Sequence, residues 1–245
     1  MITDSHIHLA RLPHYEELAQ ILVQNGYDFV NIACEPWEWE IAEKHPQWKS
    51  AFGIHPMIAS SITEEKMSLL YQLLERHPSA QVGEAGLDKR FPGYEPGGVQ
   101  EQIFRKQVQL ATNLGRDIQI HCVGDYGRII QILKQEDFGN KAAAIPIFHR
   151  FGGDSNIVKA GLSLGAKFSI HADSFRKKST TEALQIIPSK SILFETDADE
   201  SFFEKQEFID VENAVSEIVN KLTTTELSLK KAQHPAYGSS GVRNK

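Results

Sequence analysis

The first 35 residues, MITDSHIHLARLPHYEELAQILVQNGYDFVNIACE (residues 1–35), contain a complete strand–helix–strand unit. Apolar segments at residues 1–9 and 27–35 are rich in branched and aromatic side chains and end in polar ones, which predicts strands. Between them, residues 14–26 place apolar side chains on one face at helical spacing and end at Gly26, a typical helix stop. Two strands joined by such a helix are expected to lie parallel, because a parallel pair needs a long crossover.

The same unit recurs along the whole chain. Strand-like segments alternate with stretches of helical periodicity, and this alternation builds parallel sheets. The eight predicted strands are residues 1–9, 27–35, 49–56, 80–88, 117–122, 144–151, 166–173 and 191–199. Eight units in this length predict an α/β fold of the (β/α)8 TIM-barrel type, which usually has roughly 250 residues. The main alternative is an open doubly wound sheet, but its usual Gly-rich loop after the first strand has no counterpart, since residues 8–17 lack glycine.

The pattern also divides the chain into a barrel and a terminal segment. We interpret residues 1–224 as one barrel domain. Residues 225–245 are polar, contain Gly, Pro and Ser, and show no apolar stripe. That composition predicts a loosely ordered C-terminal tail.

Composition excludes several classes of protein. The chain has 245 residues, of which 41% are hydrophobic, so a sizeable core is expected. The net charge of -6 gives no general basic surface, and a nucleic-acid partner would need a local patch or metal ions. Two cysteines cannot form a disulfide framework and indicate a reducing compartment. Neither a transmembrane run nor a signal-peptide pattern is present, so we expect a cytoplasmic protein without membrane contacts.

Histidines and carboxylates stand at the ends of seven of the eight predicted strands. In a parallel barrel these ends meet at one mouth, where function collects. They are His6, His8, His55, Glu84, Asp88, His121, His149, His171, Glu195 and Asp197. Any one of them alone is more often a hydrogen-bonded or solvated group than a ligand. Together, imidazole and carboxylate groups at one mouth predict a site for divalent metal ions such as zinc or manganese.

The spacing predicts how the ions are shared. His6 and His8 lie on the same face of a strand because side chains alternate with a period of two. Asp197 follows the eighth strand, which pairs with the first when the barrel closes, so it can complete that ion's ligands. Glu84 has two oxygens and can bridge to a second ion held by His121 and His149. Two such ions clamp the attacking and leaving oxygens of a hydrolytic step.

The motifs resemble those of a known family. DSHIHL, GIHP, GEAGLD, IHC, FHRF and ETDAD occur in the order and spacing of the TatD-like metal-dependent hydrolases, a family of amidohydrolase-type TIM barrels. The resemblance covers roughly residues 2–200. It implies two divalent metals, with Zn, Mn or Mg all acceptable, and the same six ligands: His6, His8, Glu84, His121, His149 and Asp197. It also implies deoxyribonuclease activity on DNA or another phosphodiester substrate.

Two positions and the C-terminal stretch depart from that family's pattern. Val123 stands where a basic residue is usual, and Asp199 stands where proline is expected in the segment after the eighth strand. The C-terminal stretch also lacks the family's usual NAxRLF-like ending. The predicted metal ligands are intact, whereas the substrate-recognition residues differ, so hydrolysis is better supported than DNA as the substrate.

The predicted mechanism follows from the ions. A metal lowers the pKa of its bound water, and the resulting hydroxide attacks the scissile phosphate while the ions offset the developing charge. Asp197 and Glu84 are the predicted catalytic residues, with Asp197 orienting the water or accepting its proton. The predicted substrate contacts are Lys89, Arg90, Arg150, His55 and His171.

Two alternatives remain open. The same metal centre can serve hydrolysis of an amide, ester or lactone, because a fold does not fix a reaction. A non-catalytic metal-binding protein is the second alternative, although the complete set of six ligands argues against it. The sequence leaves the native metal and the oligomeric state open.

Overall fold

The computed structural model describes residues 2–138, 144–203 and 210–233 of the chain. Eight strands alternate with eight α-helices along these residues. The strands are β1 Thr3–Ile7, β2 Asp28–Ala33, β3 Ser50–Phe52, β4 Gln81–Asp88, β5 Ile118–Val123, β6 Pro146–Phe148, β7 Lys167–Ile170 and β8 Ile192–Phe194. The α-helices are α1 Tyr15–Gln24, α2 Pro36–Glu43, α3 Glu64–Arg76, α4 Val99–Leu114, α5 Tyr126–Gln135, α6 Ser155–Leu162, α7 Lys178–Leu184 and α8 Val211–Gln233.

The strands form one parallel sheet in sequence order, β1 to β8. The sheet closes at the seam between its first and last strands. Ser5 Oγ in β1 donates to the carbonyl of Phe194 in β8, and the amide of Asp197 donates to the carbonyl of His6 at 3.0 Å. The prediction of a (β/α)8 barrel is confirmed.

The helices cover the outside of this barrel. In α3, Leu70, Leu73 and Leu74 recur at helical spacing and are fully buried against the sheet. Burial of one such side chain contributes about 1.5–3 kcal/mol, so α3 is held chiefly by its apolar stripe. None of the helices in the described ranges combines the length and apolar content that a membrane span needs.

Helix α2 was not predicted. Its eight residues carry no clear apolar stripe, because Trp37 is exposed while Trp39 and Glu38 are buried. Its start is specified by local chemistry instead. Pro36 occupies the first turn, and Glu35 and Glu38 form a reciprocal capping box.

The predicted start of the loose tail at residue 225 is wrong. Residues 225–233 continue α8, and Thr225 and Leu229 are buried one turn apart. The side-chain Nε2 atom of Gln233 donates to the backbone carbonyl of Leu184 at 3.1 Å. The buried stripe of this last segment is narrow, and Leu227 lies off it with 52% of its surface exposed, so the sequence shows no clear apolar face here. The rest of the predicted tail, residues 234–245, lies outside the described residues.

Candidate metal centre

The six predicted metal ligands lie together at the carboxyl ends of the strands. His6 belongs to β1, and His8 follows it with both side chains on the inner face. Asp197 follows β8 and is brought beside them by barrel closure. Asp197 takes a left-handed conformation with φ of 51°, which is uncommon outside glycine and is found most often at functional sites.

Close pairing of β4 with β5 brings two carboxylates, those of Glu84 and Asp88, next to His121. Gly86 pairs with His121, and a Cβ atom at Gly86 would lie 1.9 Å from the carbonyl oxygen of His121. Only glycine allows this approach. As a result, the side chains of Glu84 and Asp88 both reach the His121 ring.

Glu84 lies between two groups of histidines. Its Oε1 atom is 2.5 Å from Nδ1 of His121 and 2.7 Å from Nε2 of His149. Its Oε2 atom is 3.5 Å from Nε2 of both His6 and His8. One carboxylate therefore presents a different oxygen to each group.

The first group consists of His6, His8 and Asp197. Oδ1 of Asp197 lies 3.7 Å from Nε2 of His6 and 3.6 Å from Nε2 of His8. One donor atom from each residue falls within 4.8 Å of the other two, which is compact enough to hold an ion. Nε2 of His6 is buried and has no hydrogen-bond partner among the described residues. Such an atom is costly to leave unpaired, so the donor set fits a bound cation.

The second group contains His55 in addition to His121 and His149. Nε2 of His55 lies 3.4 Å from Nδ1 of His121 and 3.8 Å from Oε1 of Glu84. His55, Glu84 and His121 again place donor atoms within 4.8 Å of one another. The sequence predicted His55 only as a substrate contact, whereas its position also suits a ligand.

A polar side chain lies behind the ring of each of the four predicted histidine ligands, within hydrogen-bond distance for His6 and His121 and at ion-pair distance without a hydrogen bond for His8 and His149. The pairs are His6 Nδ1 with Gln119 Oε1 at 3.3 Å, His8 Nδ1 with Glu38 Oε1 at 3.8 Å, His121 Nε2 with Asp88 Oδ2 at 3.0 Å, and His149 Nδ1 with Glu195 Oε1 at 3.5 Å. Metal-binding histidines are usually oriented this way, with the distal nitrogen held by a carboxylate or amide. The arrangement therefore fits metal ligation better than it fits a set of unrelated core histidines.

The charges of the centre depend strongly on one another. Burial disfavours the ionised form of Glu84, but His149 and His121 hold its pKa well below the ordinary value. Burial likewise opposes protonation of His149, yet Glu84 and Glu195 raise the pKa of that ring. For Asp197, burial is again outweighed, and His149 and His6 lower its pKa to about 2. Both carboxylates are therefore ionised at neutral pH, as metal ligation requires.

The centre opens into a cavity of about 440 Å³. Of the predicted substrate contacts, His55, Arg90 and Arg150 line this cavity. Lys89 is exposed and lies outside the cavity wall formed by the described residues. His171 is also outside that wall, and its Nδ1 atom accepts a hydrogen bond from the amide of Asp173.

Sequence reasoning missed several supporting residues. Gln119 stands two residues before His121 in β5, so the period of two could have identified it as an inward-facing polar residue. Glu38 lies on the unpredicted helix α2 and gave no signal. Nε of Arg11 donates to Oε1 of Glu38 at 2.6 Å. Arg11 and Cys34 both line the cavity.

A parallel barrel with histidines and carboxylates gathered at its carboxyl mouth is typical of metal-dependent hydrolases. The family model described as "TatD related DNase" matches residues 3–232. The chain therefore belongs to the TatD-related DNase family, which confirms the resemblance inferred from its motifs.

Individual relatives agree with this assignment. The chain is 27% identical over 210 residues to "Uncharacterized metal-dependent hydrolase YabD" of Bacillus subtilis, covering 80% of each chain. It is 33% identical over 165 residues to "3'-5' ssDNA/RNA exonuclease TatD" of a Pantoea species, covering 64% of this chain and 61% of that protein. The match thus spans less than two thirds of the Pantoea protein.

Solved structures support the fold. The TatD homologue YjjV of Escherichia coli has a TM-score of 0.69 at 20% identity, covering 95% of this chain and 97% of that chain. A TatD-family hydrolase from Entamoeba histolytica has a TM-score of 0.72 at 16% identity, covering 95% and 91%. At these identities the similarity concerns the barrel alone.

Proposed function

We propose that the protein is a two-metal phosphodiesterase that hydrolyses DNA or another phosphodiester substrate. The observation that carries this proposal is the position of Glu84, whose two oxygens face two separate histidine groups. A carboxylate in that position suits a bridge between two ions. The nuclease names of several relatives agree with the choice of substrate.

The ligand sets follow from the two groups. His6, His8 and Asp197 would hold one ion, His121 and His149 would hold the other, and Glu84 would be shared. Divalent ions bound there supply Lewis-acid stabilisation of phosphate charge and make water a nucleophile at neutral pH. The ligand types accept zinc, manganese and magnesium with different preference, so the native metal is left to experiment.

Asp197 combines two contacts. Its Oδ1 atom faces the first group, while its Oδ2 atom accepts a hydrogen bond from Arg150 at 2.6 Å. Because its pKa is about 2, the carboxylate is a weak base. A carboxylate oxygen has two lone pairs, so we assign Oδ1 of Asp197 two tasks: it would bind the ion with one and accept a hydrogen bond from the attacking water with the other.

The cavity should attract an anionic substrate only after the divalent metal ions bind, because its arginines are neutralised by carboxylates. The three arginines that line it are already paired, Arg11 with Glu38, Arg90 with Asp88 and Arg150 with Asp197. Arg90 is the most accessible of the three, with 60% of its side chain exposed, and is our candidate contact for a phosphate oxygen. Phe91 lies beside it in the cavity wall and offers a ring face to a nucleobase.

The proposal is tested with a substrate panel. Protein stripped of metal is supplied with Mn²⁺, Zn²⁺ or Mg²⁺ and assayed on bis-p-nitrophenyl phosphate and single-stranded DNA, and in parallel on p-nitrophenyl esters and lactones. We expect metal-dependent cleavage of the phosphodiesters, which Glu84→Gln abolishes. The matched control is Glu64→Gln, an exposed position on α3 outside the cavity, which should keep wild-type activity.

The alternatives predict other outcomes. Turnover of esters or lactones without phosphodiester cleavage would favour an amidohydrolase-like reaction on the same centre. Bound metal without turnover of any substrate would favour a non-catalytic metal-binding protein. Elemental analysis that finds no ion bound after incubation with metal would contradict the metal centre itself.

A further inference from the structure

Arg150 connects three segments around the metal centre. Its Nη1 atom donates to Oδ2 of Asp197 at 2.6 Å, and its Nη2 atom donates to the carboxylate of Asp173. Its backbone amide donates to Oε1 of Glu195 at 2.5 Å. Arg150 directly follows His149, so the same short segment presents a histidine to one group and a guanidinium to the other.

We propose that Arg150 is a positioning residue that holds Asp197 in a one-oxygen binding mode toward the ion of His6 and His8. This inference rests on the two-metal function proposed above. By occupying Oδ2, the guanidinium leaves only Oδ1 of Asp197 directed at the two histidines. The role is separate from the substrate contact that the sequence predicts for this residue.

The geometry of guanidinium explains why arginine suits this place. Its donors lie in one rigid plane, so a single side chain can hold the carboxylates of Asp173 and Asp197 at the same time. A lysine has one nitrogen and cannot reproduce this fixed fork. The backbone supports the arrangement, since Arg150 and Asp197 both have positive φ, 44° and 51°. Such conformations persist only where the surroundings hold them.

Asp173 anchors the outer end of the arrangement. It lies in the short 3-10 helix Ala172–Phe175 that follows β7, and its Oδ1 atom also forms an ion pair with Nε of Arg176 at 2.8 Å. Asp173 is therefore fixed from two sides. A suitable control position is Arg76 in α3, an arginine that also pairs with a carboxylate, that of Glu43, is 47% exposed and lies outside the cavity wall formed by the described residues.

Two effects of Arg150 on metal binding oppose each other. Its positive charge repels a cation, whereas its hydrogen bond orients a ligand. The side chain is 46% exposed, so solvent screens the repulsion, and we expect orientation to dominate. Loss of a partner that orients a metal ligand typically lowers metal affinity about 10–100-fold.

The test is a calorimetric titration of metal-free protein with Mn²⁺, without substrate. We expect Arg150→Ala to weaken one of the two Mn²⁺ sites about 10–100-fold and leave the other within about threefold. The Mn²⁺ affinity of the weakened site in Arg150→Lys should lie between those of Arg150→Ala and the wild type. Asp173→Asn should weaken the same site by less, because Asp197 itself keeps its arginine contact. Arg76→Ala should match the wild type in Mn²⁺ affinity, and melting curves of the metal-free variants check that each one folds.

Activity adds an independent readout. If Arg150 acts through Asp197, saturating Mn²⁺ should restore most of the kcat that Arg150→Ala loses. Unchanged or tighter Mn²⁺ binding in Arg150→Ala would overturn the positioning role, as would a rise in KM with both metal affinities intact. A wild-type protein that binds fewer than two ions would instead contradict the two-metal function, so the two failures are distinguishable.

Discussion

Oε1 of Glu84 lies 2.7 Å from Nε2 of His149, and the other oxygen of the same carboxylate points away from that ring toward His6 and His8. All four side chains are at least nine-tenths buried. A buried carboxylate that contacts several buried imidazoles is costly unless the charges compensate one another. Although burial opposes it, polar and acidic neighbours raise the pKa of His8 and of His149 above the ordinary value. Protons on these two rings provide that compensation in the ion-free protein, and metal ions would replace them.

Removal of one histidine of the first group tests its assignment. We expect His6→Ala or His8→Ala to abolish one of two Mn²⁺ sites and most activity, while the barrel stays folded. The expected loss exceeds the ~10–100-fold effect of an outer partner, because a ligand itself is removed. Calorimetry and far-UV circular dichroism measure the two properties. His77→Ala, at the end of α3, controls for loss of a histidine, and full activity of His6→Ala would mean that the pair is structural.

Substitution of Asp197 separates charge from shape. Asp197→Asn keeps the size of the side chain but removes the ionised oxygen that faces His6 and His8. We expect the melting temperature to change little and kcat on bis-p-nitrophenyl phosphate to fall by at least about 100-fold, the size typical of a lost acid–base or orienting group. Wild-type turnover of this variant with added metal would refute its role.

Substitution of Asp88, which lies behind the His121 ring, tests whether it supports metal binding. Nε2 of His121 lies 3.0 Å from Oδ2 of Asp88, which orients the ring. Asp88→Asn should weaken the site of His121 and His149 about 10–100-fold. The control is Asp28→Asn, at the start of β2 and the opposite end of the barrel. Equal Mn²⁺ affinities for Asp88→Asn and the wild type would show that Asp88 only pairs with Arg90.

Metal binding should release protons. Glu84 and Glu195 outweigh burial and raise the pKa of His149 above its ordinary value of 6.5, so the ion-free ring holds its proton near neutral pH. A metal binds only the neutral ring, and its affinity should therefore rise with pH until the raised pKa is passed. Calorimetry at pH 7 in two buffers of different ionisation enthalpy measures the protons released. A value of zero would contradict the assignment of His149 as a ligand.

Most of the fold could be predicted from the sequence, because strand-like segments and stretches of helical apolar spacing alternate along the chain. Gly26 and Gly115 behind α1 and α4 have positive φ and stand just past the helix ends, as their glycine signals predict. Two errors have one physical cause. Helix α2 and the end of α8 are specified by a capping box and by a narrow buried stripe, and neither produces a wide apolar face.

The candidate site was readable where residues lie on strands and obscure where they lie on loops or helices. His6 and His8 follow from the period of two. The part of His55 in the second histidine group and the paired state of Arg150 depend on loop geometry. Glu38 reaches His8 from a helix and lies 30 residues along the chain, a contact that no local pattern encodes.

Metal stoichiometry of Glu84→Gln tests the central claim most directly. The measurement is the number of Mn²⁺ ions bound per chain by calorimetry, compared with the wild type and with Glu64→Gln. We expect two ions for the wild type and for Glu64→Gln, and at most one for Glu84→Gln at concentrations that saturate the wild type. Two ions bound to Glu84→Gln with wild-type affinities would contradict a bridging carboxylate.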